Sequence, residues 1–120
     1  MALQFLRTIE LPEHMGSGGF DHIAYHPGKG WLYAAHTINN ALDVIDCHGD
    51  GYLHSIPNLT GVAGVLVSPE EDQIFTTNRG ENTVGIFRWD AENKIVKVPV
   101  GVRPSSTFRA RSLPTWVTRR

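Results

Sequence analysis

The sequence repeats itself at a fixed interval, and that interval constrains the fold more than any other feature. Shifted by 42 residues, positions 27–46 lie over positions 69–88 without a gap. Pro27 falls on Pro69 and Asn40 on Asn82, while Leu32-Tyr33 fall on Ile74-Phe75. Leu42, Val44 and Ile45 fall on Val84, Ile86 and Phe87, and the register lasts to Ile56-Pro57 over Val98-Pro99. A period of this size marks an array in which each unit buries its apolar face against a neighbouring unit. Two copies are few for such an array, and flat outer faces would leave apolar patches in water.

Within the unit, short β-type runs alternate with turn residues, and helical periodicity is absent. The first copy predicts strands over 22–25, 31–35, 41–46 and 52–56, broken at Pro27-Gly28-Lys29-Gly30, at Asn39-Asn40 and at Cys47-His48-Gly49-Asp50-Gly51. The second predicts strands over 64–67, 73–77, 83–89 and 94–98. Four strands joined by hairpin-length loops describe an antiparallel meander. Asn40 and Asn82 stand where a tight hairpin asks for left-handed backbone or a side-chain-to-backbone bond. Alternation blurs in Thr83-Val84-Gly85-Ile86-Phe87, as expected of a sheet packed on both faces. The stretch 5–12, ending Leu11-Pro12 as the units end in Ile56-Pro57 and Val98-Pro99, reads as the outer strand of a preceding, incomplete unit. The glycine-rich residues 13–19 read as a flexible connection.

Composition bounds the function classes. Eleven basic and 12 acidic side chains give a formal charge of −1, so no field points to nucleic acid or an anionic membrane. Apolar residues at 41% and charged ones at 19% suit a folded domain. One cysteine, Cys47, excludes an intrachain disulfide and any multi-cysteine metal cluster. The first residues have no long apolar run behind a basic start, and no stretch approaches a membrane span, so a cytoplasmic location is expected.

The residues of the second copy resemble the YVTN-type β-propeller repeat. In that family an SPD-like turn leads to a strand ending Tyr-Val-Thr-Asn, then a Gly-x-Asn-Thr-Val turn and strand, then a strand closing on Pro-Val-Gly. Here these features are Ser68-Pro69, Phe75-Thr76-Thr77-Asn78, Gly80-Glu81-Asn82-Thr83-Val84 and Pro99-Val100-Gly101. The first copy is more divergent, with Tyr33-Ala34-Ala35-His36 at the motif strand. The resemblance covers roughly residues 5–104 and implies an all-β fold of antiparallel four-stranded propeller blades: one at 21–57, one at 62–99, and one extra strand before them. Complete propellers carry four to eight blades. Residues 105–120 depart from the pattern, reading as a basic extension with four arginines or as the product of a reading-frame shift near Ser105. Blades encoded in another frame beyond the stop codon would decide for the shift.

The resemblance places Asp21 and His22 at the start of an inner strand, beside the central channel, with His36 and Asn78 at strand ends. Aspartate, histidine and asparagine around one axis could hold a cation or a polar ligand; the plainer reading is that they satisfy loop backbone groups. The other motifs carry less. His22 and His26 have the spacing of a helical zinc pair, but on a strand lie roughly 13 Å apart. Cys47-His48 lacks an orienting third group, positions 46–57 lack the oxygen ligands of a calcium loop, and Gly16, Gly18 and Gly19 lack the lysine of a phosphate loop. Trp31, Tyr33, Phe75 and Trp89 read as inter-blade core. No catalytic residue, metal site or cofactor is implied. The expected role is a non-catalytic binding or interaction scaffold, with a small ligand or protein as partner and self-association through exposed blade faces. Two alternatives remain: part of a metal-assisted lactonase- or esterase-like propeller hydrolase using Asp21 and Asn78, or a degenerate gene product without independent activity.

Overall fold

In the computed structural model, which describes residues 3–101, each copy of the repeat folds into one four-stranded antiparallel sheet. The first contains β1 (Ile23–His26), β2 (Trp31–His36), β3 (Ala41–Asp46) and β4 (Gly51–Ile56), in that spatial order. The second contains β5 (Val62–Ser68), β6 (Gln73–Asn78), β7 (Thr83–Arg88) and β8 (Val96–Pro99), again in chain order. Apart from one 3-10 turn, Thr37–Asn39, the described residues contain no helix. The tail 105–120 lies outside the described residues.

The register repeats as faithfully as the sequence. Leu32 pairs with Ile45 as Ile74 pairs with Phe87, and His36 with Ala41 as Asn78 with Thr83. The hairpins explain why. Asn40 and Asn82 adopt left-handed backbone, with φ of 56° and 54°, a conformation asparagine tolerates better than most side chains. Gly30 and Asp72, also one repeat apart, are left-handed too. Their carbonyls accept the amides of Cys47 and Trp89, at 2.8 and 3.1 Å. A Cβ at Gly30 would also run into the His48 ring, so the His48 side chain rests against this glycine.

Side chains alternate across each strand, so each sheet has an upstream face, toward the preceding unit, and a downstream face. The downstream face of sheet one (Tyr33, Ala35, Leu42, Val44 and Ile56) packs on the upstream face of sheet two (Ile74 and Phe87, flanked by Val65 and Val67). Leu59 and Val62, from the segment crossing between the sheets, close the seam, and both are wholly buried. The innermost strands meet through His22 N–H donating to the Ala63 carbonyl at 3.1 Å. At the opposite end Trp31 and Trp89 meet edge to face at 5.9 Å, and the Lys29 ammonium sits 3.4 Å above the Trp89 ring. There His26, almost fully buried, lies 3.3 Å from the Asp72 carboxylate without the alignment of a hydrogen bond.

Two N-terminal expectations meet a different structure. Residues 5–12 form no strand, because an outer strand is held by a ladder to the third strand of its own sheet, and none precedes it among the described residues. The stretch is tethered instead, by Arg7 to Asp50 at 3.6 Å. Residues 13–19 are likewise pinned rather than loose. The Asn39 amide donates to the Glu13 carbonyl and accepts from the Met15 N–H, both at 2.8 Å, and the Gly19 carbonyl takes the Ile38 N–H.

Because one seam serves both sheets, they are expected to unfold together. Phe87→Ala, at the centre of the seam, should cost about 3–5 kcal/mol in urea denaturation. It should also lower amide-exchange protection in β2 and β3 of the other sheet. Unchanged protection there would show that the sheets are independent.

Candidate functional site

Asp21, His22, His36 and Asn78 all lie at the end of the sheets that carries the β2–β3 and β6–β7 hairpins, but not in one cluster. Asp21 and His22 immediately precede β1; His36 closes β2 and Asn78 closes β6. The Asp21 amide donates to the Ala35 carbonyl, and the His22 carbonyl accepts from the Ala35 N–H. This leaves both side chains in solvent, where His22 Nδ1 and Asp21 Oδ1 pair at 2.6 Å. Exposed pairs of this kind contribute little to stability, so their side chains are free to meet a ligand at modest structural cost.

His36 is buried and engaged at both ring nitrogens. Its Nδ1–H donates to Asp43 Oδ2 at 2.8 Å, and its Nε2 meets His14 Nδ1 at 2.7 Å. Asp43, also fully buried, takes the Ser55 hydroxyl on its other oxygen at 2.7 Å, and Ser55 meets the Tyr52 hydroxyl at 2.7 Å. Phe20 stacks on the His36 ring with centroids 4.0 Å apart. A polar chain thus runs from the N-terminal segment across sheet one: His14, His36, Asp43, Ser55, Tyr52. Its order matters chemically. A serine nucleophile must give its proton to an imidazole that a carboxylate orients. Here Ser55 bonds to the carboxylate, and the far imidazole nitrogen faces another histidine.

Asn78 is equally enclosed, at the repeat position of His36. Its Oδ1 accepts from Thr76 Oγ1 and its Nδ2 donates to Thr83 Oγ1, each at 3.1 Å. Thr83 donates to Glu81, which also pairs with Lys97 at 2.9 Å. Burial pushes the Glu81 carboxyl up, but hydrogen bonds from Thr83, Lys97 and Thr60, with the Lys97 charge, outweigh it and leave the group below its ordinary range. Gly85 makes room for this arrangement, since a Cβ there would approach Thr76 Oγ1 to 2.6 Å. The repeat mate of Gly85 is Asp43, so the two sheets satisfy the same buried zone by different chemistry.

His14, Asp43, Ser55, Tyr52 and Phe20 were not among the residues singled out from sequence. Only Asp43 carried a signal: an acid inside Ala41–Asp46, a strand whose two faces must both be covered, needs a buried partner. His26 sits buried at the end of β1 opposite the exposed His22, so the two share no site. Cys47 is exposed. The Asp46 carboxylate accepts the His48 N–H at 3.0 Å, closing a turn. Among the described residues no three His, Cys, Asp or Glu side chains converge as metal ligands, and no helix is long and apolar enough to cross a membrane. Among the described residues, two open clefts adjoin these elements. One, of about 450 Å³, lies between Ser17, Gly18 and Gly19, the hairpin residue Ile38, and Thr60 and Gly61 of the crossing segment. The other, of about 530 Å³, lies between Pro57 and Asn58 of the crossing segment and Glu92, Asn93 and Lys97 of sheet two.

Compared with solved structures, the chain is similar to Kuenenia stuttgartiensis hydrazine synthase, a propeller-containing protein, with a TM-score of 0.66 at 16% identity. The match covers 72% of this chain and 25% of that one. This likeness concerns the fold: the described residues form two antiparallel four-stranded sheets of a propeller-like all-β architecture. No protein-family model and no curated protein sequence matches the chain.

Two substitutions test the buried polar groups. Asp43→Ala leaves His36 and Ser55 without their shared acceptor and should cost about 3–5 kcal/mol in chemical denaturation; Asp43→Asn, which keeps an acceptor oxygen, should cost less. An equal loss in both would mean that charge rather than hydrogen bonding holds the chain together. Tyr33 is the opposite case, its buried hydroxyl making no hydrogen bond among the described residues. Burial, reinforced by the Glu92 carboxylate, holds this phenol well above its ordinary range. Its contribution is therefore complete below pH of about 10 and is lost as pH rises, because the unfolded chain ionises first. Tyr33→Phe should stabilise by about 1 kcal/mol at neutral pH and flatten the alkaline loss in pH-dependent thermal melts.

Proposed function

We propose that the chain is a non-catalytic binding or interaction scaffold, a segment of a YVTN-type propeller whose hairpin loops present the binding surface. The observation that carries this reading is the employment of its polar side chains. His36, Asp43 and Asn78 are buried and bonded to protein partners, so the residues best suited to proton transfer are committed to structure. What stays open at the hairpin end is the Asp21–His22 pair and the cleft of about 450 Å³, within the size range of small-molecule sites. A small polar ligand or a protein loop is the class of partner such a surface suits.

A metal analysis combined with a panel of lactones and esters tests the reading. The purified chain is expected to hydrolyse them at the buffer rate and to carry no stoichiometric metal. Turnover that depends on bound metal and disappears in Asp21→Asn would instead assign the chain to the hydrolase class. A chain that cannot be recovered folded, by circular dichroism, would favour a degenerate product.

A further inference from the structure

We propose that the His14–His36 pair is a proton-operated latch, which holds residues 13–19 against the hairpin end of sheet one and releases them when both rings are charged. The proposal rests on the scaffold reading, because Ser17, Gly18 and Gly19 form one wall of the cleft offered there as a binding surface. It gives that site its regulation.

The latch follows from counting protons. The buried Asp43 carboxylate can only accept, on Oδ1 from the Ser55 hydroxyl and on Oδ2 from His36. His36 must therefore carry a proton on Nδ1. In its neutral form Nε2 is then bare, and it accepts the Nδ1–H of His14 at 2.7 Å. Such a bond needs one proton between its two nitrogens, neither none nor two. One added proton is harmless, since it can reside on His14 Nε2. A second sets two N–H groups against each other, and two positive rings with centroids 4.9 Å apart repel. The held state thus carries at most one charge over the two rings, and the released state two. Acid favours the state that binds more protons, so release is the acid form.

The surroundings leave the pair in control. His36 and Asp43 alternate with Tyr33, Ala35, Leu42 and Val44 of the seam, so they point to the face away from sheet two. Around them stand Asp43 on β3, Tyr52 on β4 beyond Ser55, Glu13 beside His14, and the Asp21–His22 pair ahead of β1. Among the described residues, His14 is the one side chain of the strap 13–19 that hydrogen-bonds to the sheet. The remaining hydrogen bonds use strap backbone: the Glu13 carbonyl and Met15 N–H on the Asn39 amide, and the Gly19 carbonyl on the Ile38 N–H at 3.3 Å.

Amide exchange on the full chain at about pH 8 and about pH 5, which bracket the range where histidine changes charge, tests the latch. Protection is taken relative to the unstructured rate at each pH. The Met15 and Ile38 amides should lose protection on acidification, by up to about tenfold per pH unit, the slope of one extra proton. The Leu59 and Val62 amides, in the segment that closes the seam, should keep theirs. His14→Ala should leave the strap unprotected at both pH values. His14→Asn, which donates or accepts at the place of Nδ1 but takes up no proton, should keep it protected at both. Position 14 is exposed, and circular dichroism establishes that each variant is folded. Equal wild-type protection at both pH values would overturn the proposal. So would a His14→Asn variant that loosens in parallel with wild type, a His14→Ala variant that stays protected, or a seam that opens together with the strap. In each of those cases the scaffold reading stands or falls separately, on the metal and hydrolysis measurements.

Discussion

The seam between the two sheets is the contact on which everything else in this chain depends. A four-stranded sheet with apolar residues on both faces cannot hide them by itself, and a lone meander of this size is marginal in water. Tyr33, Leu42, Val44, Ile74 and Phe87 settle that problem on one side of each sheet. Burying side chains of this size stabilises by about 1.5–3 kcal/mol each, more than the exposed ion pairs at the periphery supply. The hairpins, the crossing segment and the tethered N-terminus all make sense as elements that keep these two faces opposed.

Much of the architecture was legible in the sequence, because it is encoded locally and twice. The 42-residue offset, the turn dipeptides and the two asparagines located eight strands to within a residue or two. The largest deviations are β5, which begins two residues early at Val62, and β8, which begins at Val96 because Ala91 and Lys94 are held in successive turns after Arg88. The N-terminal contacts were not legible. His14 reaches His36 across 22 positions of sequence, and nothing in a glycine-rich stretch announces that its carbonyls and amides are taken up by Asn39. Such contacts depend on where the folded sheet brings a hairpin, and a pattern repeated along the chain carries no trace of them. The candidate site divides along the same line. The position of Asp21 and His22 ahead of an inner strand followed from the repeat, while the enclosure of His36 and Asn78 depended on partners outside their own strands.

Comparing the two sheets at equivalent positions shows what the repeat holds constant and what it releases. The first two hairpins of each sheet keep the same left-handed residues, Gly30 with Asp72 and Asn40 with Asn82. The buried polar zone is not. Sheet one fills it with an imidazole, a carboxylate and a serine, sheet two with an asparagine, two threonines and a glycine. Each solution is closed upon itself, as burial demands of polar groups. Chemical variety is tolerated there because the hydrogen bonds are satisfied within each sheet and, for His36, by His14 of the N-terminal segment, so the seam beyond them need not change.

The Asn40 carbonyl accepts the Leu59 N–H, and the Asn82 carbonyl accepts the Val100 N–H, both at 3.0 Å. In each case the first residues past an outermost strand are hooked back onto the second hairpin of the same sheet. For sheet one this bond lies at the start of the segment that crosses to sheet two. Like a stair that carries a bracket at its edge, each sheet thus holds the first residues beyond its last strand against its own second hairpin.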